Sequence, residues 1–182
     1  MKNTIYLIRH AEAQSNINPL HVGEAYLTEE GILQSQKLAE YLSHKRIDDI
    51  YVSEVLRAKL TAQEISKMVN KISIELNFLK ERKGSYSERM VFRPEESFRD
   101  MSKRVMEAVH FFENLEGKCV VVVSHAIFLK TLLAYIMTEN LVDENVVSKI
   151  EDVLVIDNCT LSKIVFNNDK KKWRILELNR HI

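Results

Sequence analysis

Three short segments of this chain carry residues that can hold an anion. Arg9 and His10 stand side by side, Ser53 is followed four positions later by Arg57, and Ser124 and His125 close an apolar run. A guanidinium offers planar paired donors that match phosphate oxygens. Two Arg and two His in one crevice repel one another, so gathering them makes physical sense around an anion, most naturally a phosphate dianion. Each residue also has an ordinary reading. A His after a strand most often serves a turn or a core, Arg57 fits an exposed helix face, and His125 fits a helix start.

Other chemistries fit less well. The glycines Gly23, Gly31, Gly84 and Gly117 show no dinucleotide-fingerprint or P-loop spacing. His10, His21, His44, His110, His125 and His181 form no pair at helical or alternating spacing, so neither a zinc site nor another cofactor is expected. Cys119 and Cys159 lie in apolar surroundings, and the sixth position after each holds His125 or Val165 instead of the Arg of a cysteine phosphatase. They read as reduced thiols, which fits a cytoplasmic protein. Lys+Arg and Asp+Glu balance at 26 each, which argues against a nucleic-acid or membrane-surface partner. No apolar run approaches the ~20 residues that span a bilayer.

The elements that must position these residues follow from periodicity. Thr4 to Ile8, Ile50 to Val52 and Cys119 to Val123 read as strands, the last covered on both faces. Val153 to Asp157, Leu161 to Phe166 and Trp173 to Leu178 are further strand candidates. Thr28 caps an expected helix from about Glu29 to Ser43, and Ala58, Ala62, Ile65 and Val69 form one stripe of a second. Two more are expected, from about Pro94 to Glu113 and from about Ala126 to Thr138. The alternation implies an α/β fold with a mostly parallel sheet, and the 182 residues, without repeat or linker, imply one domain. In such sheets ligands bind beyond the carboxyl ends of the strands, where Arg9-His10, Ser53 and Ser124-His125 stand.

The same segments resemble the histidine phosphatase superfamily, also called phosphoglycerate mutase-like. The likeness runs through T-I-Y-L-I-R-H-A-E-A-Q-S-N from Thr4, L-T-E-E-G from Leu27 and D-D-I-Y-V-S-E-V-L-R-A-K-L-T-A from Asp48. It continues through P-E-E-S from Pro94, V-V-V-S-H-A from Val121, D-N-C-T from Asp157 and W-R-I-L-E-L-N from Trp173. The resemblance implies a three-layer sandwich with helices on both faces of the sheet, and a metal-independent reaction through a phosphohistidine on His10. It further implies that Arg9, Arg57 and His125 clamp the phosphoryl group with help from Asn16, and that Glu81 is the general acid. Glu88 is the rival acid, because Glu81-Arg82-Lys83-Gly84 is one residue tighter than the usual spacing. Other departures are Ala11 for Gly, Ala13 for Thr, Glu54 for Pro, Leu60 for Gln and Ala126 for Gly; none removes a charged catalytic group.

Only 14 residues, Lys80 to Arg93, separate Leu79 from Pro94, where mutases of this family carry a longer insertion. A lid this short admits water to the phosphohistidine and favours hydrolysis over phosphoryl return. It carries Lys80, Arg82, Lys83, Arg89 and Arg93, either a solvated loop or a receptor for a second anionic group. A small phosphorylated metabolite is the first choice of substrate and a phosphoprotein or phosphohistidine the second. Phosphoglycerate mutase activity and a catalytically silent phosphate-binding module are the rival functions. Exposed edge strands leave room for a homodimer.

Overall fold

Five of the six strand candidates assemble into one sheet. The computed structural model describes residues 1–18, 21, 24–82, 84–86, 92–139 and 143–182. Its first half contains β1 (Lys2–Arg9), α1 (Gln14–Ile17), α2 (Glu29–Ser43), β2 (Asp49–Val52), α3 (Leu56–Val69) and β3 (Ser73–Glu75). The short strands β4 (Gly84–Tyr86) and β5 (Phe92–Pro94) follow, then α4 (Phe98–Glu113), β6 (Cys119–Ser124), α5 (Ala126–Met137), α6 (Glu144–Val153), β7 (Leu161–Asn167) and β8 (Lys172–Arg180). Six strands pair in the order β3-β2-β6-β1-β7-β8, and β4 pairs with β5 as a separate antiparallel ribbon. Within the large sheet β7 alone runs against its neighbours.

β6 lies between β2 and β1, and its alternate side chains enter different layers. Val120 and Val122 pack with Ile5 and Leu7 against Met101, Val105 and Phe112 of α4 and Phe128 and Leu132 of α5. Val121 and Val123 pack with Tyr6, Ile8, Ile50 and Val52 against Leu38 and Leu42 of α2 and Ala58, Ala62 and Ile65 of α3. A strand covered on both faces needs no polar alternation, which explains the unbroken apolar run. The helices therefore form two layers around the sheet, as expected from the resemblance. Because β1, β2 and β6 are parallel, with Arg9 opposite Ser124 and Val52 opposite Val123, their carboxyl ends share one edge.

Several boundaries depart from expectation. α4 begins at Phe98, where the Ser97 hydroxyl accepts from the Asp100 N–H at 3.1 Å; Pro94 instead ends β5. The residue before a proline favours extended backbone, which opposes a helix starting there. The expected strand from Val153 to Asp157 is also overturned. Asp143 accepts from the N–H groups of Asn145 and Val146 and starts α6, whose last residue is Val153. Leu154 and Ile156 are buried between the more exposed Val153, Val155 and Asp157, so the alternation is real, but this extended segment joins no ladder. α1, β3, α6 and the β4–β5 ribbon are additions to the sequence-based set. Lys83, Glu88 and Arg89 lie outside the described residues, as does the Arg93 side chain. Among the described residues no helix is long and apolar enough to cross a membrane.

Candidate active site

His10 follows the last residue of β1, and its N–H donates to the Ser124 carbonyl at 2.9 Å. The turn at Asn158 and Cys159 holds it from the other side. Asn158 Nδ2 donates to the His10 carbonyl at 2.9 Å, and the Cys159 N–H, at a left-handed φ of 56°, approaches the Arg9 carbonyl at 3.1 Å. The His10 ring is 3% exposed and makes one hydrogen bond from each nitrogen. Nδ1 lies 2.8 Å from the Ala11 carbonyl, and Nε2 lies 3.0 Å from Nε of Arg57. A carbonyl only accepts and Arg Nε–H only donates, so the neutral ring carries its hydrogen on Nδ1 and its lone pair on Nε2. Burial holds the His10 pKa well below its ordinary value, and the Arg57 and Arg9 charges push it the same way. His10 therefore presents an uncharged nitrogen nucleophile beside a guanidinium.

His125, at the N-terminal boundary of α5, is fully buried with its ring centroid 5.1 Å from that of His10. Its Nε2 lies 2.8 Å from Ser53 Oγ, while its buried Nδ1 meets no partner among the described residues. Burial lowers the His125 pKa, and His10, Arg57 and Arg9 add to the effect. Arg9 Nη1 donates to the Ile156 carbonyl at 2.8 Å, so the extended segment after α6 orients this side chain. The four residues singled out from the sheet ends, Arg9, His10, Arg57 and His125, are thus brought together.

The residues implied by resemblance also approach this edge. Asn16 Oδ1 accepts from the Ala13 N–H at 2.9 Å and from Asn158 Nδ2 at 3.2 Å, so its oxygen holds the loop after His10 and its amide nitrogen remains a donor. Glu81 is seated at the start of α5. Its Oε1 accepts from the N–H groups of Arg82 at 3.0 Å and Phe128 at 3.1 Å, and Oε2 is 3.4 Å from that of Ile127. Burial pushes the Glu81 pKa up, while these donors and the Arg57 charge oppose that shift. Two amides at the start of α5 are thus engaged by this carboxylate.

Supporting residues escaped the sequence analysis as functional parts. Thr61 Oγ1 accepts from the Ala11 N–H at 3.0 Å and donates to the Arg57 carbonyl at 2.8 Å, linking the two halves of the site. Its signal was a polar residue on the buried stripe of α3. Gly31 explains part of L-T-E-E-G: a Cβ there would lie 2.0 Å from the Glu12 carbonyl oxygen, so the start of α2 packs on the loop after His10 only without a side chain. Cys159 takes no part in this chemistry, since burial pushes its thiol up to about 12. Among the described residues no three His, Cys, Asp or Glu side chains gather as metal ligands.

Comparison with known proteins finds relatives in sequence and in fold. A Schizosaccharomyces pombe protein named as a probable phosphatase is 32% identical over 162 residues, covering 75% of this chain and 57% of that protein. The chain thus spans little more than half the length of this curated relative. Bacillus stearothermophilus YhfR has the same fold, with a TM-score of 0.80, 21% identity and 98% coverage of each chain. The alpha-ribazole phosphatase of Shigella flexneri superposes with a TM-score of 0.78 at 21% identity, covering 97% of this chain and 96% of that one. A sequence profile described as histidine phosphatase superfamily (branch 1) matches residues 5–91 and 77–181. Family profile, relatives and fold agree, and the chain belongs to the histidine phosphatase superfamily.

Proposed function

We propose that this protein hydrolyses phosphate monoesters through a covalent phosphohistidine on Nε2 of His10. The observation that carries the reading is the hydrogen bonding of that ring: the Ala11 carbonyl fixes the hydrogen on Nδ1 and leaves the Nε2 lone pair facing Arg57. In the first step Nε2 attacks phosphorus, the ester P–O bond breaks, and the leaving oxygen takes the proton of the Glu81 carboxyl. Before that attack, as the substrate binds, Arg57 passes its Nε–H from the ring nitrogen to a phosphoryl oxygen, which frees the Nε2 lone pair. Arg9, Arg57, the orphan Nδ1 of His125 and the amide of Asn16 bind the other oxygens. In the second step the Glu81 carboxylate takes a proton from water, whose oxygen attacks phosphorus and breaks the P–N bond, releasing phosphate.

Glu81 is suited to both roles. Oε1 accepts two N–H bonds near 3.0 Å, whereas Oε2 has one at the 3.4 Å limit. The proton therefore resides on Oε2. Fixed guanidinium charge balances the transferring phosphoryl group in place of a metal ion. The chemical class of substrate is a small phosphorylated metabolite, supported by the small-molecule phosphatases among its structural neighbours. Phosphate release from a panel of sugar, amino-acid and nucleoside phosphates, set beside phosphopeptides and phosphoglycerate interconversion, tests this reading. Release from at least one small ester, lost in His10→Ala, is expected. Preference for phosphopeptides overturns the substrate class, phosphoglycerate exchange faster than release overturns hydrolysis, and unaltered turnover in His10→Ala overturns the nucleophile.

A further inference from the structure

We infer that Arg104 and Glu96 form a positioning staple for the acid Glu81, an inference that rests on the acid role proposed above. Arg104 sits in the middle of α4 and points toward the segment leading to Glu81. Its Nε and Nη2 donate to the two carboxylate oxygens of Glu96 at 2.7 and 2.6 Å, a bidentate pair with side chains only 14% and 13% exposed. Its Nη1 donates to the carbonyls of Phe78 at 2.9 Å and Lys80 at 3.0 Å, and Nη2 also meets Met101 Sδ at 3.0 Å. Five N–H donors thus face five acceptors, so the guanidinium keeps none for an anion.

The backbone so held bears directly on Glu81. Between Phe78 and Lys80, the Leu79 carbonyl accepts from Ser124 Oγ at 2.6 Å, which joins the segment to the residue before His125. On the far side of Glu81, Arg82 Nε donates to the Glu96 carbonyl at 3.3 Å. Residues 78, 79, 80 and 82 are fixed, and Glu81 is the residue between them. A proton donor misplaced by about an ångström loses much of its effect, so fixing this backbone fixes the proton. Arg104 and Glu96 touch no reacting atom in this scheme; they act through Glu81. A lysine at 104 cannot substitute, because one ammonium cannot serve a bidentate carboxylate and two carbonyls together.

Leaving groups separate positioning from general structural damage. An alkyl phosphate needs a proton on its departing oxygen, whereas para-nitrophenolate departs without one. The ratio of kcat/KM for glycerol phosphate to that for para-nitrophenyl phosphate is measured on each preparation of wild type, Arg104→Lys, Arg104→Gln, Glu96→Gln and Glu81→Gln. This ratio does not change with the fraction of folded enzyme, and kcat/KM covers steps only up to phosphorylation of His10. Glu81→Gln lowers the ratio by about 100-fold or more, and each staple variant lowers it by at least about 10-fold, the scale of general acid catalysis. A drop for Glu81→Gln with an unchanged ratio in the staple variants overturns the staple alone, including when both of their activities fall together. An unchanged ratio in Glu81→Gln overturns the acid assignment and the staple with it.

Discussion

Arg57 and Arg104 carry the same group in two neighbouring regions and engage it in opposite ways. At Arg104 every donor meets a carboxylate, a carbonyl or a sulfur. At Arg57 Nε donates to His10, and the Nη groups make no hydrogen bond to another described residue. Both arginines are largely enclosed, so burial does not tell them apart. What distinguishes them is donor satisfaction: a guanidinium with all partners supplied by its own chain is architecture, whereas one with donors in reserve can receive a ligand. Arg57 is also surrounded by His10, His125 and Arg9 rather than by a bidentate carboxylate, an arrangement that favours an incoming anion.

The largest test of this contrast removes each guanidinium in turn and compares activity. Arg57→Met should lower kcat/KM by about 100- to 1,000-fold, the scale for removing a charged donor aimed at the reacting group. Arg57→Lys should recover little of it, since the fork is lost. Activity within about threefold of wild type in Arg57→Met would place the phosphate elsewhere.

Stability should show the reverse order. Arg104→Met removes the bidentate partner of the largely enclosed Glu96 carboxylate and should cost about 3 kcal/mol in urea unfolding. A double variant with Met at both positions should lose less than the two single variants together, because the charge-pair term is counted once instead of twice. Arg57→Met should lose under about 1 kcal/mol, since the attraction of Arg57 to Glu81 is opposed by its burial and by its repulsion from Arg9. Equal losses at the two sites would erase the distinction.

Proton titration gives a finer test. Arg57 lowers the His10 pKa and Arg104 is not among its causes, so Arg57→Met should move the His10 titration upward and Arg104→Met should leave it in place. Histidine proton resonances followed against pH read both. Linkage fixes a companion effect on folding. His10 and His125 titrate well below 6.5 in the folded chain, so the unfolded chain binds more protons as pH falls below that value. Stability is complete above about pH 6.5 and falls as the solution is acidified toward the folded pKa values. His10→Asn should flatten that fall; an unchanged slope would contradict the buried neutral ring.

The smallest effect concerns Glu81, whose carboxyl is raised by burial. Alkyl-ester kcat should decline as pH rises through that elevated pKa, because the proton to be donated is lost. The alkaline decline should vanish in Glu81→Gln, on the lower activity that remains.

The sheet and the edge that carries the candidate site were legible in the sequence because short-range signals and packing agreed. Val120 to Val123 had to be covered on two faces, Thr28 had to cap α2, and parallel strands then had to bring Arg9, Ser53 and Ser124 to one edge. The resemblance supplied Asn16 and Glu81, which periodicity does not single out. What stayed hidden depends on contacts between distant segments. α6 is short, with Val147 its one buried residue, and the alternation of Val153 to Asp157 after it mimics a strand. Arg104 looked like one polar residue among many on α4, since its role is written in the carbonyls of Phe78 and Lys80. Thr61 likewise gains meaning only when the Ala11 N–H and the Arg57 carbonyl are beside it.

The central claim is that phosphorus becomes bonded to Nε2 of His10. Rapid mixing with an activated aryl phosphate, a quench at alkaline pH and peptide mass spectrometry with phosphorus NMR test it directly. An acid-labile, base-stable phosphoryl group on Nε2 of His10, formed and lost at the rate of turnover, is the predicted result. A phosphoryl group on Nδ1 or on another residue, or phosphate release from His10→Ala at the wild-type rate, would contradict it.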